Sequence, residues 1–142
     1  MHLDLSDAAV REMDMRLGDR TVLAGMLDSL ADAGAGSIVL DVIFSDRGRE
    51  DGDRLLVEAA SRAGMVISPV IVAPDGSLTT SFPEFAAASR GSGHINAEPD
   101  RDGVYRRVPL VLASGDAWVP SLALRTACEA LDVDPASIEV AP

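Results

Sequence analysis

Apolar residues recur along the chain with two different spacings, and these predict alternating helices and strands. The segment DRTVLAGMLDSLADAGA (residues 19–35) places Leu23, Met26, Leu27 and Leu30 on one helical face, with Gly34 where the helix should end. The next segment, SIVLDVIF (residues 37–44), is β-branched and apolar on both faces except at Asp41. This pattern is typical of a central parallel strand that is covered on both sides.

The same two patterns follow a second time. DRLLVEAASRAG (residues 53–64) predicts a helix that ends at Gly64, and MVISPVIV (residues 65–72) predicts a strand. Pro69 cannot donate a ladder hydrogen bond, so we expect an edge or a bulge at that point of the strand. APDGS (residues 73–77) has the composition of a tight turn.

The second half of the chain predicts two further helices and a hairpin. PEFAAASR (residues 83–90) suits a short helix, after which Gly91 and Gly93 loosen the chain. VYRRVPLVLA (residues 104–113) predicts a strand that SGDA turns back, and PSLALRTACEALD (residues 120–132) predicts the last helix. We therefore expect one α/β domain over residues 1–142, with a mixed, partly parallel central sheet flanked by helices and closed by an antiparallel hairpin.

Composition narrows the classes of function. The formal net charge of −11, without a run of Lys or Arg, repels phosphate backbones and so disfavours a nucleic-acid partner. The single cysteine, Cys128, excludes an internal disulfide and a CxxC metal site. No signal peptide is visible, and no apolar run reaches the roughly 18 residues of a membrane span. Because the sequence stops shortly after SIEV without a clear end signal, we expect a soluble piece of a longer protein.

The segment GHINAEPDRDGVYRRVPL (residues 93–110) concentrates charge between two apolar regions. Its spacing of acidic residues and Gly103 resembles the start of an EF-hand loop, but Pro109 stands where a bidentate glutamate is required. We therefore predict no metal site and no cofactor, but a polar hairpin loop with an Asp-Gly turn. Arg106 and Arg107 would then lie on opposite faces of a strand.

Asp41 is the clearest anomaly, because a carboxylate inside an apolar strand must be paired or hydrogen-bonded. It would cap a neighbouring loop or pair with Arg106, or, in the alternative hypothesis, serve an α/β hydrolase. The phosphatase-like form of that hypothesis lacks the second carboxylate two residues later. His94 has no GxSxG partner motif, and the sequence contains no GxGxxG or P-loop motif. No catalytic residue is predicted.

The order of several blocks nevertheless resembles one family. LAGMLDSLADAGA, IVLDVIFSD, GHIN, DRDGVYRRVPL and PSLALRTA are similar, over residues 17–131, to the second class of CHASE domains, the cyclase and histidine-kinase associated sensory extracellular modules. The resemblance implies an extracytoplasmic sensor of a bacterial membrane receptor, non-catalytic itself, with a cytoplasmic nucleotide cyclase, histidine kinase or Ser/Thr kinase. Transmembrane helices would lie outside this segment. The weakly helical stretch of residues 1–20 lacks the family's Trp/Pro-rich turn, so we expect its first strand to be missing or altered.

These patterns lead to a hypothesis about binding. An unknown small molecule or peptide would bind at the carboxyl ends of the central strands, where α/β sheets usually hold ligands. The candidate ligand-binding residues are Asp41, Ser45, Asp46, Asn96, Asp102 and Arg106. The rival hypothesis is a structural or dimerising module without a ligand, and a homodimer of the full-length receptor is a further expectation.

Overall fold

The structure, a computed structural model, describes residues 19–138. The prediction of a missing or altered first strand concerns residues 1–20 and so lies almost wholly outside this range, as does the end of SIEV. The helices are α1 (Arg20–Asp32), α2 (Glu50–Ala63), α3 (Pro83–Ala88) and α4 (Leu122–Ala130), followed by a 3-10 turn (Pro135–Ser137). The strands are β1 (Ile38–Val39), β2 (Val66–Val72), β3 (Leu78–Thr79), β4 (Gly91–His94), β5 (Val111–Ser114) and β6 (Ala117–Pro120).

Strand β2 is the centre of a mixed sheet. It pairs in parallel with β1 and β4, and its last residues pair antiparallel with β3. Strands β5 and β6 form an antiparallel hairpin, and a parallel bridge between His94 and Ser121 connects it to β4. The predicted α/β fold with a mixed sheet and a closing hairpin is confirmed.

Pro69 lies inside this central strand and pairs with Gly93 of β4, but among the described residues its β1 side has no partner, which agrees with the expectation of an edge at that point. The amide of Ile38 donates to the carbonyl of Met65, and the amide of Leu40 donates to the carbonyl of Ile67. The backbone amides and carbonyls of the odd-numbered residues of β2 therefore point towards β1. In a parallel ladder the next donor towards β1 would be the amide of residue 69, which proline lacks. The missing donor therefore falls where pairing with β1 stops, and β2 continues to pair with β4.

This early end of β1 corrects a prediction. The segment 37–44 is a strand only at Ile38–Val39, and within the described residues β1 pairs with β2 alone. Among the described residues no strand pairs with the other side of β1, and Val39 is 39% exposed. Asp41 follows the strand and is exposed, so the predicted buried carboxylate does not exist.

The second half of the chain also differs from the predicted strands. Residues 91–94 form β4, although their sequence GSGH has no apolar pattern. Residues 104–110 are not a strand and all are exposed, so β5 begins seven residues later than predicted. The hairpin turn falls at Gly115, which has a positive φ of 57°, within the predicted SGDA turn.

The helices follow the predicted pattern more closely. Helix α1 ends just before Gly34, whose φ is +80°, and α2 ends at Gly64 in the left-handed region, as expected. Asp19 and Ser121 cap α1 and α4, because each side chain accepts a hydrogen bond from a backbone amide of the first turn. In the last helical stripe only Cys128 is buried, and Leu131 lies beyond the helix and is exposed.

The main hydrophobic core lies where the first three helices meet β1 and β2. Its buried members include Leu23, Leu27, Ile38, Phe44, Leu56, Ala60, Val66, Phe82 and Phe85. The ring of Phe85 packs edge-to-face against that of Phe44, with 5.2 Å between the ring centroids. These contacts fix the loop that follows β1, which carries three of the predicted site residues.

Candidate functional site

The predicted site residues lie after the carboxyl ends of parallel strands. Asp41, Ser45 and Asp46 follow β1, and Asn96 follows β4 by two residues. Asp102 and Arg106 lie further along, in the exposed loop between β4 and β5. The structure thus places four of the six candidates at the expected end of the sheet, and the other two in a neighbouring loop with contacts of its own.

Asp41 does not make the contacts predicted for it. Its side chain is exposed and has no hydrogen bond to the other described residues. Arg106, the predicted partner, donates instead to Asp100 and Asp102. The carboxylate is stable there because water solvates it, so no buried pairing is required.

Ser45 and Asp46 belong to a loop whose backbone is hydrogen-bonded by Arg20. The guanidinium of Arg20 donates to the backbone carbonyl of Asp46 and forms an ion pair with Asp53. The amide of Gly48 donates to the same carboxylate, at 2.9 Å from Oδ2. The exposed candidate residues Ser45 and Asp46 therefore lie in a loop whose position is fixed by the largely buried Arg20–Asp53 pair.

The Arg20–Asp53 pair is itself enclosed by aromatic rings. Its side chains are 11% and 9% exposed, and the guanidinium carbon lies 4.9 Å from the ring centroid of Phe82 and 5.2 Å from that of Phe44. Arginine in such a site gains both hydrogen bonds and cation–π attraction. The pair connects the first turn of α1 to the first turn of α2 and to the loop after β1.

Gly48 makes this arrangement possible. A Cβ atom at this position would lie 3.1 Å from the Arg20 guanidinium and 3.1 Å from Asp53 Oδ1. A side chain at this position would therefore crowd the charge pair, and glycine lets the loop backbone approach it without displacing either group. Sequence analysis did not single out this cluster as a unit, although Asp53 stands at helical spacing from the apolar Leu56 and Ala60, which places it on the buried face of α2.

Asn96 is held by the sheet. Its side-chain oxygen accepts from the amide of Val72 at 2.9 Å, and its side-chain nitrogen donates to the carbonyl of Val72 at 2.8 Å. The side-chain amide thus makes the two hydrogen bonds that a backbone residue of β4 would make, and it extends the pairing of β2 with β4 to Val72. Both of its polar groups are occupied within the protein.

Asp102 and Arg106 form part of an exposed charge network. Arg106 bonds Asp102 through two nitrogens, at 2.9 and 2.8 Å, and Asp100 through one, at 3.1 Å. Arg107 donates to the other oxygen of Asp100 at 2.6 Å. The two arginines therefore converge on Asp100, and the prediction of opposite faces was wrong because this segment is a loop closed by the Asp-Gly turn.

These contacts set the ionisation of the loop. The hydrogen bond from Arg106 lowers the pKa of Asp102, and those from Arg107 and Arg106 lower the pKa of Asp100. Both carboxylates stay charged at neutral pH, and both are already engaged by arginine. Among the described residues no group of three or more His, Cys, Asp or Glu is arranged to hold a metal ion.

A separate cleft of about 360 Å³ lies where Arg90 precedes β4. Glu129 forms ion pairs there with both Arg90 and Arg125, and Asp132, Asp134 and Cys128 also line the walls. A Cβ atom at Gly91 would lie 2.7 Å from the Arg125 guanidinium, so this glycine admits the arginine. None of the predicted site residues lines this cleft.

The neighbouring glycine brings a helix against β4. A Cβ atom at Gly93 would lie 2.6 Å from Cα of Leu122. The glycines of GSGH therefore serve close packing, and the expectation that they loosen the chain was wrong. In His94, the next residue, both ring nitrogens are buried without a hydrogen-bond partner among residues 19–138, so no described serine or carboxylate is placed to act with this imidazole.

Comparison with known proteins places the chain in a family. The family model of the CHASE2 domain matches residues 4–140. This confirms the resemblance to CHASE-type sensory domains that the order of blocks indicates. No curated protein and no solved structure matches the chain. Between residues 19 and 138, none of the helices combines the length and hydropathy needed to span a membrane.

Proposed function

Because the chain belongs to the CHASE2 family of extracellular sensory domains, we propose that it is the signal-input domain of a bacterial membrane receptor. In this proposal the receptor is anchored by transmembrane helices outside the segment and regulates a cytoplasmic nucleotide cyclase or kinase. The family match over residues 4–140 is the observation that carries the proposal.

The loop after β1 is where we propose that a small molecule or peptide binds. Asp41, Ser45 and Asp46 are exposed there, on a backbone that Arg20 and Asp53 fix from the protein interior. A stimulus that contacts this loop acts on the first turns of both α1 and α2 through that pair. It shifts the receptor only as far as it binds one of two loop arrangements more tightly than the other.

Receptor output tests the sensory role. Replacing residues 19–138 by a flexible linker in the full-length receptor should make the cytoplasmic activity constant across growth conditions. Unchanged regulation would contradict the proposal. In the isolated chain, metabolites and peptides that raise the melting temperature identify ligands.

Variants then locate the ligand. Asp46→Ala should abolish the thermal shift of a true ligand, since its carboxylate is exposed in the proposed loop. Arg106→Ala tests the neighbouring loop in the same assay. Arg101→Ala is the matched control, because Arg101 is an exposed arginine of the same loop without an ion pair to the other described residues.

A second candidate function, dimerisation without a ligand, is favoured by the outer face of the hairpin. Val111 and Ala113 lie opposite Pro120 and Trp118 on one face of β5 and β6, and Trp118 is 72% exposed. Exposed apolar faces of this kind often contact another protein. If this face joins two copies, sedimentation should show a dimer that Trp118→Ser dissociates and Leu78→Ser, an exposed leucine on β3, does not.

A further inference from the structure

His94 is the most completely buried polar residue among those described, at 1% exposure. Among the described residues neither Nδ1 nor Nε2 has a hydrogen-bond partner of good geometry, although the carbonyl of Pro109 lies nearby. A buried imidazole without partners can be tolerated while neutral, but its cation would need a counter-charge or water. The described residues around the ring supply no such counter-charge, so a proton on this imidazole is disfavoured while the side chain stays buried.

His94 lies where strand β4 meets the hairpin formed by β5 and β6. It is the last residue of β4, pairs with Val70 of β2, and forms the parallel bridge to Ser121 where β6 passes into α4. The amide of Ser121 donates to the carbonyl of Leu110 at 2.7 Å, which closes the base of the hairpin. The ring also lies near the carbonyl of Pro109. His94 thus sits beneath the segment 109–121, defined here as the hairpin segment.

Charged groups on the surrounding elements do not compensate a cation at this site. Strand β2 (VISPVIV) and strands β5 and β6 have no titratable side chain. On α4 the titratable groups are Arg125, Cys128 and Glu129, and Gly93 rather than His94 faces that helix. Arg106 and Arg107, in the loop before the hairpin, are engaged by Asp100 and Asp102. The buried Asp53 is paired with Arg20.

We propose that His94 is a proton-sensitive switch, and that protonation of its imidazole separates the hairpin segment from β4. The proton is then a stimulus of this sensory domain, so the biological meaning of the switch rests on the proposed function. The hairpin segment is the element that moves because the loop leading into it, residues 101–110, is exposed throughout and makes little packing with the core.

The direction of the pH effect follows from linkage. Burial lowers the pKa of His94 below its ordinary value, and the Pro109 carbonyl offsets this only in part. The closed form therefore binds fewer protons than an open form in which the ring is hydrated. As pH falls below about 6.5, the ordinary pKa of histidine, the opening constant rises by up to about tenfold per pH unit, until the pKa of the closed form is reached.

Hydrogen exchange measures this opening directly. Amides of the hairpin segment should lose protection between about pH 7 and about pH 5, after correction for intrinsic exchange, while those of α2 keep theirs. His94→Leu should remove the pH dependence. This variant should fold, since leucine deletes two nitrogens that have no partner. His2→Gln is the matched control, because residue 2 carries the other histidine of the chain, and it should open with acid as the parent does.

Two results would overturn the proposal: unchanged protection of the hairpin segment in acid, or equal loss of protection in His94→Leu. An NMR titration needs no variant, and a His94 imidazole with an ordinary or raised pKa would overturn it as well. The two failures are distinguishable. A receptor indifferent to removal of residues 19–138 would contradict the sensory function, whereas the exchange experiment on the chain would still report whether His94 controls the hairpin.

Discussion

The guanidinium of Arg20 and the carboxylate of Asp53, 33 residues apart in sequence, form a largely buried ion pair that joins α1 to α2. Arg20 opens α1, Asp53 lies in the first turn of α2, and Gly48 donates to the same carboxylate from the intervening loop. Two aromatic rings enclose the guanidinium. The charge pair therefore fixes, in one place, both helix starts and the loop that carries Ser45 and Asp46.

Removing either charge should strongly destabilise the protein. Asp53→Ala leaves the Arg20 guanidinium buried without a counter-charge, and such a change costs about 3–5 kcal/mol of unfolding free energy. The control is Arg62→Ala, which removes an exposed ion pair with Asp28 and should change the stability only slightly. Urea denaturation compares the two variants, and similar losses in both would mean that the buried pair contributes no more than a surface one.

Gly93 should tolerate no side chain. In Gly93→Ala the new Cβ would meet the backbone of Leu122, so α4 must move away from β4, at a cost of about 1–3 kcal/mol or more. Gly25 gives the matched control, because a Cβ there meets nothing within 4 Å. Gly25→Ala lies within α1 and should stabilise the protein by about 0.5–1 kcal/mol. Thermal unfolding of both variants gives the sign of each change, and a neutral Gly93→Ala would contradict the close contact.

The helices could be predicted from sequence because their information is local. The spacing of Leu23, Leu27 and Leu30, together with Gly34, indicates α1 without reference to any other part of the chain. The α/β fold class follows from the order of such segments. The starts of helices are predicted less accurately: the sequence pattern places the start of α2 at Asp53, and the helix begins three residues earlier, at Glu50.

Strands and the candidate site depend on partners that are distant in sequence. Strand β1 ends early because Pro69, thirty residues later, offers no amide to it. The sequence of β4, GSGH, has no strand pattern and becomes a strand through its neighbours β2 and α4. Asp41 looked buried only because the strand was expected to continue. A local pattern cannot show which of these long-range pairings forms.

Asn96→Ala should lower stability through the sheet. The change leaves the amide and the carbonyl of Val72 without their partner, and the loss of two hydrogen bonds should cost about 1–3 kcal/mol. Ser92→Ala is the control, since Ser92 is an exposed residue of β4, four residues before Asn96. Chemical denaturation should separate the two variants, and the amide of Val72 should exchange faster in Asn96→Ala. An unchanged exchange rate would show that water replaces the side chain at no cost.

The loop network makes a prediction about two neighbouring carboxylates. Arg106 is the main cause of the lowered pKa of Asp102, whereas Asp100 is held first by Arg107. Since both pKa values lie below the ordinary value of about 3.9, the stabilising contribution of the network is complete above that pH and is lost as pH falls through the lowered values. Arg106→Gln should therefore raise the pKa of Asp102 more than that of Asp100.

Carboxyl NMR titration resolves the two groups, and Asp75 provides an internal control. Its pKa is lowered by hydrogen bonds from Ser77, so it should not respond to Arg106→Gln. Equal shifts at Asp100 and Asp102 would mean that the two arginines share both carboxylates. No shift at Asp102 would mean that the bidentate contact does not persist in solution, and the loop would then be free to offer Arg106 to a ligand.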